Sequence, residues 1–319
     1  MRAAFINTLC DLAARDERIW LLCGDLGFSV LEKFADRFPG RYVNAGVAEQ
    51  NMTGIAAGLA LSGKTVFTYS IANFPVMRCL EQIRNDVCCH ALNVKIVSVG
   101  GGFAYGPAGY THHGLEDLAV MRVLPNMTVL APGDPVETSL LTAAAADHHG
   151  PCYLRLGKAG EAAVHTSPPD ARIGKAILLR EGGDAAFITT GATLAMALAA
   201  ASDLADRGIS VSVISMPSLC PLDESAILSA ARDKGRIVTV EDHGRGGLGS
   251  AVAEVLAASS LSCRFSAVHL PSQPAILAGS AAELYAANGL SAPAIAARVL
   301  ALMGSREPDA RAGSDGWIR

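Results

Sequence analysis

The sequence predicts an α/β protein of two domains, each a largely parallel sheet with helices on both faces. Three observations predict it. Short runs rich in Val, Ile and Leu alternate with helical stretches along almost the whole chain, the pattern of parallel strands covered on both sides. A turn-rich break, Thr166-Ser167-Pro168-Pro169-Asp170, interrupts that alternation once, after which it restarts. The chain has 319 residues, half of them hydrophobic, enough for two cores of ordinary size. The expected spans are 1–166 and 171–304, followed by a polar, glycine-bearing tail at 305–319 that reads as flexible.

In the first domain, residues 2–15 read as a helix and Ile19-Trp20-Leu21-Leu22-Cys23-Gly24 as a buried strand ending at Asp25. Strands follow at 41–44, 65–70, 94–100, 128–130 and 152–154. Helices are expected after Gly46, from about Pro75 to His90, near 116–124, and across 135–147. In the second domain strands are expected at 185–190, 210–215, 237–240 and 266–270, and helices at 194–207, 224–232, 249–258, 281–287 and 293–303. The last begins with Pro293, tolerated in a first helical turn because its missing N–H would be unpaired there anyway.

The net charge of −4, with no Lys/Arg-rich block, argues against nucleic acid or an anionic membrane surface as partner. No run reads as long enough to span a membrane. The N-terminus lacks a secretory pattern, so a cytoplasmic protein is expected. Eight cysteines without a Cys-x-x-Cys pair read as reduced core residues, and no metal-ligating set is expected.

Chemistry-bearing residues gather where strands end, the edge at which ligands bind in such sheets. Val43-Asn44-Ala45-Gly46-Val47-Ala48-Glu49 is a strand, a glycine turn and a carboxylate opening a helix. Met52, Ile55, Ala56 and Leu59 form that helix's apolar stripe, so Glu49 is expected to lean inward, where burial would raise its pKa. An acidic residue complementing the helix dipole is the plainer alternative. Phe74 follows another strand end. Gly100 to Gly114 is a glycine-rich loop delivering His112 and His113, and Arg155 ends a further strand.

Together these stretches resemble the pyrimidine-binding domain of transketolase-like thiamine diphosphate enzymes. The motifs are Gly46-Val47-Ala48-Glu49-Gln50-Asn51-Met52, Glu81-Gln82-Ile83-Arg84-Asn85-Asp86, Thr111-His112-His113-Gly114-Leu115-Glu116-Asp117-Leu118 and Leu124-Pro125-Asn126-Met127. Pro217-Ser218-Leu219-Cys220-Pro221-Leu222-Asp223 and Glu241-Asp242-His243, with Gly246 to Ser250, are similar to the family's C-terminal domain.

The resemblance implies that Glu49 hydrogen-bonds the cofactor's aminopyrimidine and relays its proton. Phe74 would stack on that ring, with Ile71 where a second aromatic is usual and Asp25 beside the cofactor. His112 would contact the substrate's hydroxyls, with His113 next to it. Arg2, Ser29 and Arg155 match positions that bind substrate phosphate. A family histidine falls on Gly100 and an aspartate on Ala108, which leaves donor and acceptor sugars open.

The sequence contains no Gly-Asp-Gly motif of the kind that holds the diphosphate through magnesium or calcium. The resemblance therefore implies a split transketolase. This chain would share thiamine diphosphate with an N-terminal, diphosphate-binding subunit in an α2β2 assembly, transferring two-carbon ketol units between sugar phosphates. Alternatives are the β subunit of a 2-oxoacid dehydrogenase decarboxylase component, a deoxyxylulose phosphate synthase-like enzyme, or a regulatory module without catalysis.

Overall fold

The computed structural model describes residues 1–275 and 278–304. The tail at 305–319, expected to be flexible, lies outside the described residues. Twelve strands form two sheets among the described residues. The first contains β1 (Ile19–Cys23), β2 (Tyr42–Asn44), β3 (Thr65–Ile71), β4 (Val94–Val99), β5 (Thr128–Leu130) and β6 (Cys152–Leu156). The second contains β7 (Ile177–Arg180), β8 (Ala185–Thr189), β9 (Val211–Ser215), β11 (Arg236–Val240) and β12 (Arg264–Val268). The remaining strand, β10 (Ser218–Cys220), lies in the second half of the chain but pairs antiparallel with β5.

The strand orders are β10-β5-β6-β4-β3-β1-β2 and β12-β11-β8-β9-β7, parallel except for the edge strands β10 and β7. Neither edge strand is anticipated from the sequence: Ser218–Cys220 is three residues long and Ile177–Arg180 is half-exposed, so neither shows a buried run. The chain leaves β1 towards β2 on one side and returns to β3 on the other. That reversal opens a crevice at the carboxyl ends of the strands.

Burial follows the pattern expected of covered parallel strands. Every residue of β4, β6, β8 and β9 is buried. One apolar cluster runs from Leu22, Met52 and Val76 through Leu118 and Met121 to Ile188, Leu219 and Leu248. It joins the two sheets' layers, so relative motion would expose core surface at about 25 cal/mol per Å².

Three expectations are corrected. The helix anticipated from Pro75 to His90 is broken into Phe74–Met77, Leu80–Gln82 and a π-helical turn at Ile83–Cys88. The first break, at Arg78-Cys79, separates the turn carrying Phe74 from the later turns, and π-helical turns are frequent beside functional sites. Residues 281–304 are apolar and long enough in total to cross a membrane, unlike the sequence expectation. They form helices Ala281–Ala287 and Ala292–Gly304, whose Leu284, Ile295, Ala296 and Val299 pack into the second domain's core. All eight cysteines are free thiols, but Cys89 is exposed, and Cys220 and Cys263 are half-buried rather than core.

Candidate active site

Glu49 is the first residue of the helix Glu49–Leu61, and only 2% of its surface is exposed. Gly24, at the exit of β1, packs against it: a Cβ there would lie in ordinary contact, 3.4 Å from Glu49 Cγ. The carboxylate is thus sunk beneath the crevice floor. Its partner was missed in the sequence: Arg78 Nη1 donates to Glu49 Oε2 at 2.9 Å. The same guanidinium lies 4.4 Å from the centroid of the Phe74 ring. Arg78 is half-exposed, so its hold on Glu49 is a solvent-screened ion pair. Only its four-residue spacing from Phe74 on one helical face hinted at the contact.

Phe74 begins its short helix directly after β3, and its ring meets that of His112 edge-on at 5.1 Å. Ile71, at the end of β3, is half-buried. His112 Nδ1 is 3.0 Å from Thr111 Oγ1. Burial, then the charges of His113, Arg78 and Lys158, push its pKa below the ordinary 6.5. The ring is therefore neutral at physiological pH and free to exchange hydrogen bonds with hydroxyls. An acid limb of kcat/KM owed to His112 is expected below pH 6.5 and should vanish in His112→Asn; a limb centred above 6.5 would contradict the geometry.

Asp25 adopts φ +56° at the exit of β1. Its backbone N–H donates to Asn44 Oδ1 at 3.0 Å, and Asn44 Nδ2 donates back to Asp25 Oδ1 at 2.9 Å. Asn44 Oδ1 also accepts from Gly46 N–H, so one side chain ties the β1 and β2 exits and fixes the turn before Glu49. Ser29 is exposed, at φ +63°, with its N–H donating to Glu32. Arg2, first residue of the helix Arg2–Ala13, places its charge against Tyr69 and Tyr105.

The structure departs from expectation at two residues. Arg155 is 3% exposed and spends its donors inside the protein. Nε bonds Asp117 at 2.9 Å, Nη1 bonds Asp242, and Nη2 reaches the carbonyls of Gly114 and Asp242 at 2.9 and 3.0 Å. Burial alone would lower its pKa, but the Asp117 and Asp242 carboxylates outweigh that and hold it above its usual range. Arg155 is a bridge between domains and leaves no fork for a substrate phosphate. His113 is 1% exposed, bonded through Nε2 to Gly106 O at 2.9 Å and edge-on to Phe103 at 5.0 Å. It packs the loop from inside and does not face the crevice.

That loop is closed at its neck by paired hydrogen bonds between Gly102 and Gly114. From the second domain, Tyr285 Oη accepts from Phe103 N at 3.1 Å, and His243 Nε2 accepts from Leu118 N at 3.1 Å. His243 is fully buried, with its pKa lowered chiefly by burial, so it serves as a neutral acceptor.

Two more crevice residues escaped the sequence reading. Tyr105 packs against the bare Cα of Gly100 and is 5.8 Å, ring to ring, from His112. Lys158, three residues beyond Arg155, holds its ammonium 4.5 Å from the Tyr105 ring centroid. Glu49, Arg78, Phe74, His112, Tyr105 and Lys158 thus form one continuous wall along the exits of β2, β3, β4 and β6. It can exchange a proton at a buried carboxylate, stack a planar ring and attract an anion.

The chain matches the transketolase pyrimidine-binding domain over residues 1–160 and the transketolase C-terminal domain over 174–295. It is 40% identical to a subunit of the apulose-4-phosphate transketolase of Phocaeicola vulgatus, over 91% of this chain and 93% of that protein. It is 39% identical to 6-deoxy-6-sulfo-D-fructose transketolase subunit SqwH of a Clostridium species, over 80% of each. A solved structure described as a split gene transketolase, inactive beta4 tetramer, superposes with a TM-score of 0.87 at 38% identity, covering 95% of this chain and 97% of that one. The chain also matches 1-deoxy-D-xylulose-5-phosphate synthase of Syntrophotalea carbinolica at 36% identity, but spans only 48% of that protein's length. The chain belongs to the transketolase family and carries its pyrimidine-binding and C-terminal domains.

Proposed function

We propose that this chain is the catalytic half of a split transketolase, moving a two-carbon ketol unit between anionic sugars. The observation that carries the reading is the buried Glu49 carboxylate beside the Phe74 ring, on the same crevice edge as His112. The residues fit the pyrimidine end of thiamine diphosphate: Glu49 sits beside Gly24 at the exit of β1, Phe74 supplies an aromatic ring, and Asp25 and Ile71 stand at the ends of β1 and β3. Bound there, the cofactor would supply the carbon nucleophile that carbon–carbon cleavage needs. Glu49 holds or releases a proton at its carboxylate oxygen, and His112 orients substrate hydroxyls. Lys158 and Arg2 attract the sugar's anionic end.

In this reading the diphosphate and its magnesium or calcium are held mainly by a separate diphosphate-binding chain, in an α2β2 assembly in the cytoplasm. The relatives named as transketolase subunits, which this chain matches nearly end to end, support the split arrangement over a 2-oxoacid dehydrogenase subunit. The synthase relatives favour their own chemistry less, since the chain spans about half their length. Co-purification with a diphosphate-binding chain, and ketol transfer between a ketose phosphate and an aldose phosphate by the reconstituted pair, test the proposal. Turnover by this chain alone with thiamine diphosphate and magnesium would overturn it.

Arg78 provides a second test. Its guanidinium holds both the Glu49 oxygen and the Phe74 face that the cofactor ring needs. A half-exposed ion pair and a cation–π contact together contribute about 1–2 kcal/mol. Arg78→Met is expected to tighten thiamine diphosphate binding by the pair about fivefold to thirtyfold in calorimetric titration. Weaker binding would mean that Arg78 stays in the seat as a ligand.

A further inference from the structure

Gly100 directly follows β4 at φ +82°, a left-handed conformation in which side chains other than glycine's are strained. More decisive is what stands over it. A Cβ at position 100 would lie 2.2 Å from Tyr105 Cε2 and 2.5 Å from Cδ2, so the Tyr105 ring rests on the bare backbone. A methyl group at 100 and the ring at 105 cannot occupy their places together.

The seated ring is the middle of a three-part wall. His112 is 5.8 Å from it, ring to ring, and the Lys158 ammonium is 4.5 Å from its centroid. Burial raises the phenol's pKa, partly offset by the charge of Arg2, so it is a protonated hydrogen-bond donor at neutral pH. Glycine at 100 and tyrosine at 105 therefore act as one unit. The ring sets the gap between an imidazole that reads hydroxyls and an ammonium that attracts an anion.

Resting on the transketolase reading above, we propose that Tyr105, seated on Gly100, is the specificity-determining residue that sets how long a sugar fits between His112 and the terminal oxyanion site at Lys158. The oxyanion is a phosphate or a sulfonate, since both are tetrahedral anions that an ammonium attracts. With the ring in place the wall is rigid and the reach is fixed. Without it, the volume of a tyrosine side chain opens beside a residue that has none.

The test uses the reconstituted pair with D-xylulose 5-phosphate, D-fructose 6-phosphate and D-sedoheptulose 7-phosphate as donors, and D-fructose and 6-deoxy-6-sulfo-D-fructose as terminal-group controls. Tyr105→Ala is expected to shift the kcat/KM ratio of longer to shorter ketose phosphates about tenfold or more, the scale set by one misfitting carbon unit. Tyr105→Phe keeps the ring and should hold that ratio within about twofold. Gly100→Ala should reproduce the Tyr105→Ala shift by displacing the ring, and should add less than about twofold in the Tyr105→Ala background, because the clash is then gone. Lys158→Met should remove the preference for fructose 6-phosphate over fructose; a wild-type preference for the sulfonate but not the phosphate, lost in Lys158→Met, would assign the site to sulfonates, and a preference for either anion that survives the substitution overturns the placement of the oxyanion at Lys158. An unchanged length ratio in Tyr105→Ala, with turnover intact, overturns the Tyr105 proposal and leaves the transketolase reading standing. Absence of turnover by the wild-type pair on every ketose overturns both.

Discussion

Replacing Glu49 by alanine is expected to lower turnover of the reconstituted pair about 10²- to 10⁴-fold, the range for a positioned acid–base group. The carboxylate is buried at the mouth of a helix, with Gly24 on one side and Arg78 on the other. A hydrogen bond to a charged group contributes only about 1.5–3 kcal/mol, so lost affinity alone would not account for the upper part of that range. Glu49→Gln separates the two effects. Glutamine keeps the volume and an acceptor oxygen but cannot exchange a proton, so it should be nearly as slow as alanine while binding cofactor almost normally. Near-normal turnover in either variant would remove Glu49 from catalysis.

Removing Arg155 has the largest expected effect on stability. Arg155→Ala should cost about 3–5 kcal/mol in denaturant unfolding, because it leaves the buried Asp117 and Asp242 carboxylates without their cation. Tyr153 Oη already donates to Asp117 at 2.5 Å, while Asp117 Oδ1 is buried without a hydrogen bond, so the site has little slack. Arg155 also holds the Gly114 carbonyl, and the loop bearing His112 closes at Gly114. Reduced kcat should therefore accompany the lost stability. A phosphate ligand would behave differently: KM for the sugar phosphate would rise while unfolding stayed within about 1 kcal/mol of wild type.

Much of the fold is legible in the sequence because fully buried parallel strands are written as short apolar runs between helical repeats. Strands β1, β3 and β4 show this plainly, and so does the helix after Gly46. The π-turn at Ile83–Cys88 is not legible, since its residues keep a helical pattern, with Ile83, Val87 and Cys88 buried as they would be in an ordinary helix. β10 is not legible either: its partner β5 lies far earlier in the chain, and an antiparallel edge of three residues leaves no periodicity to read.

For the site, the sequence alone determined the residue types at the strand exits. Glu49, Phe74 and His112 could be placed on the crevice edge because strand ends and loop motifs are local features. Only the tertiary structure decided which of the charged and aromatic residues face that crevice. Arg155 and Lys158 are three positions apart on one exit, yet the first is sealed by Asp242 from the second domain while the second stands over Tyr105. His112 and His113 are adjacent, but one meets Phe74 and the other turns inward onto Phe103. Sequence order sets which side chains reach an edge. Which charge is neutralised, and which glycine leaves space for a ring, depends on groups brought close by packing from distant parts of the chain.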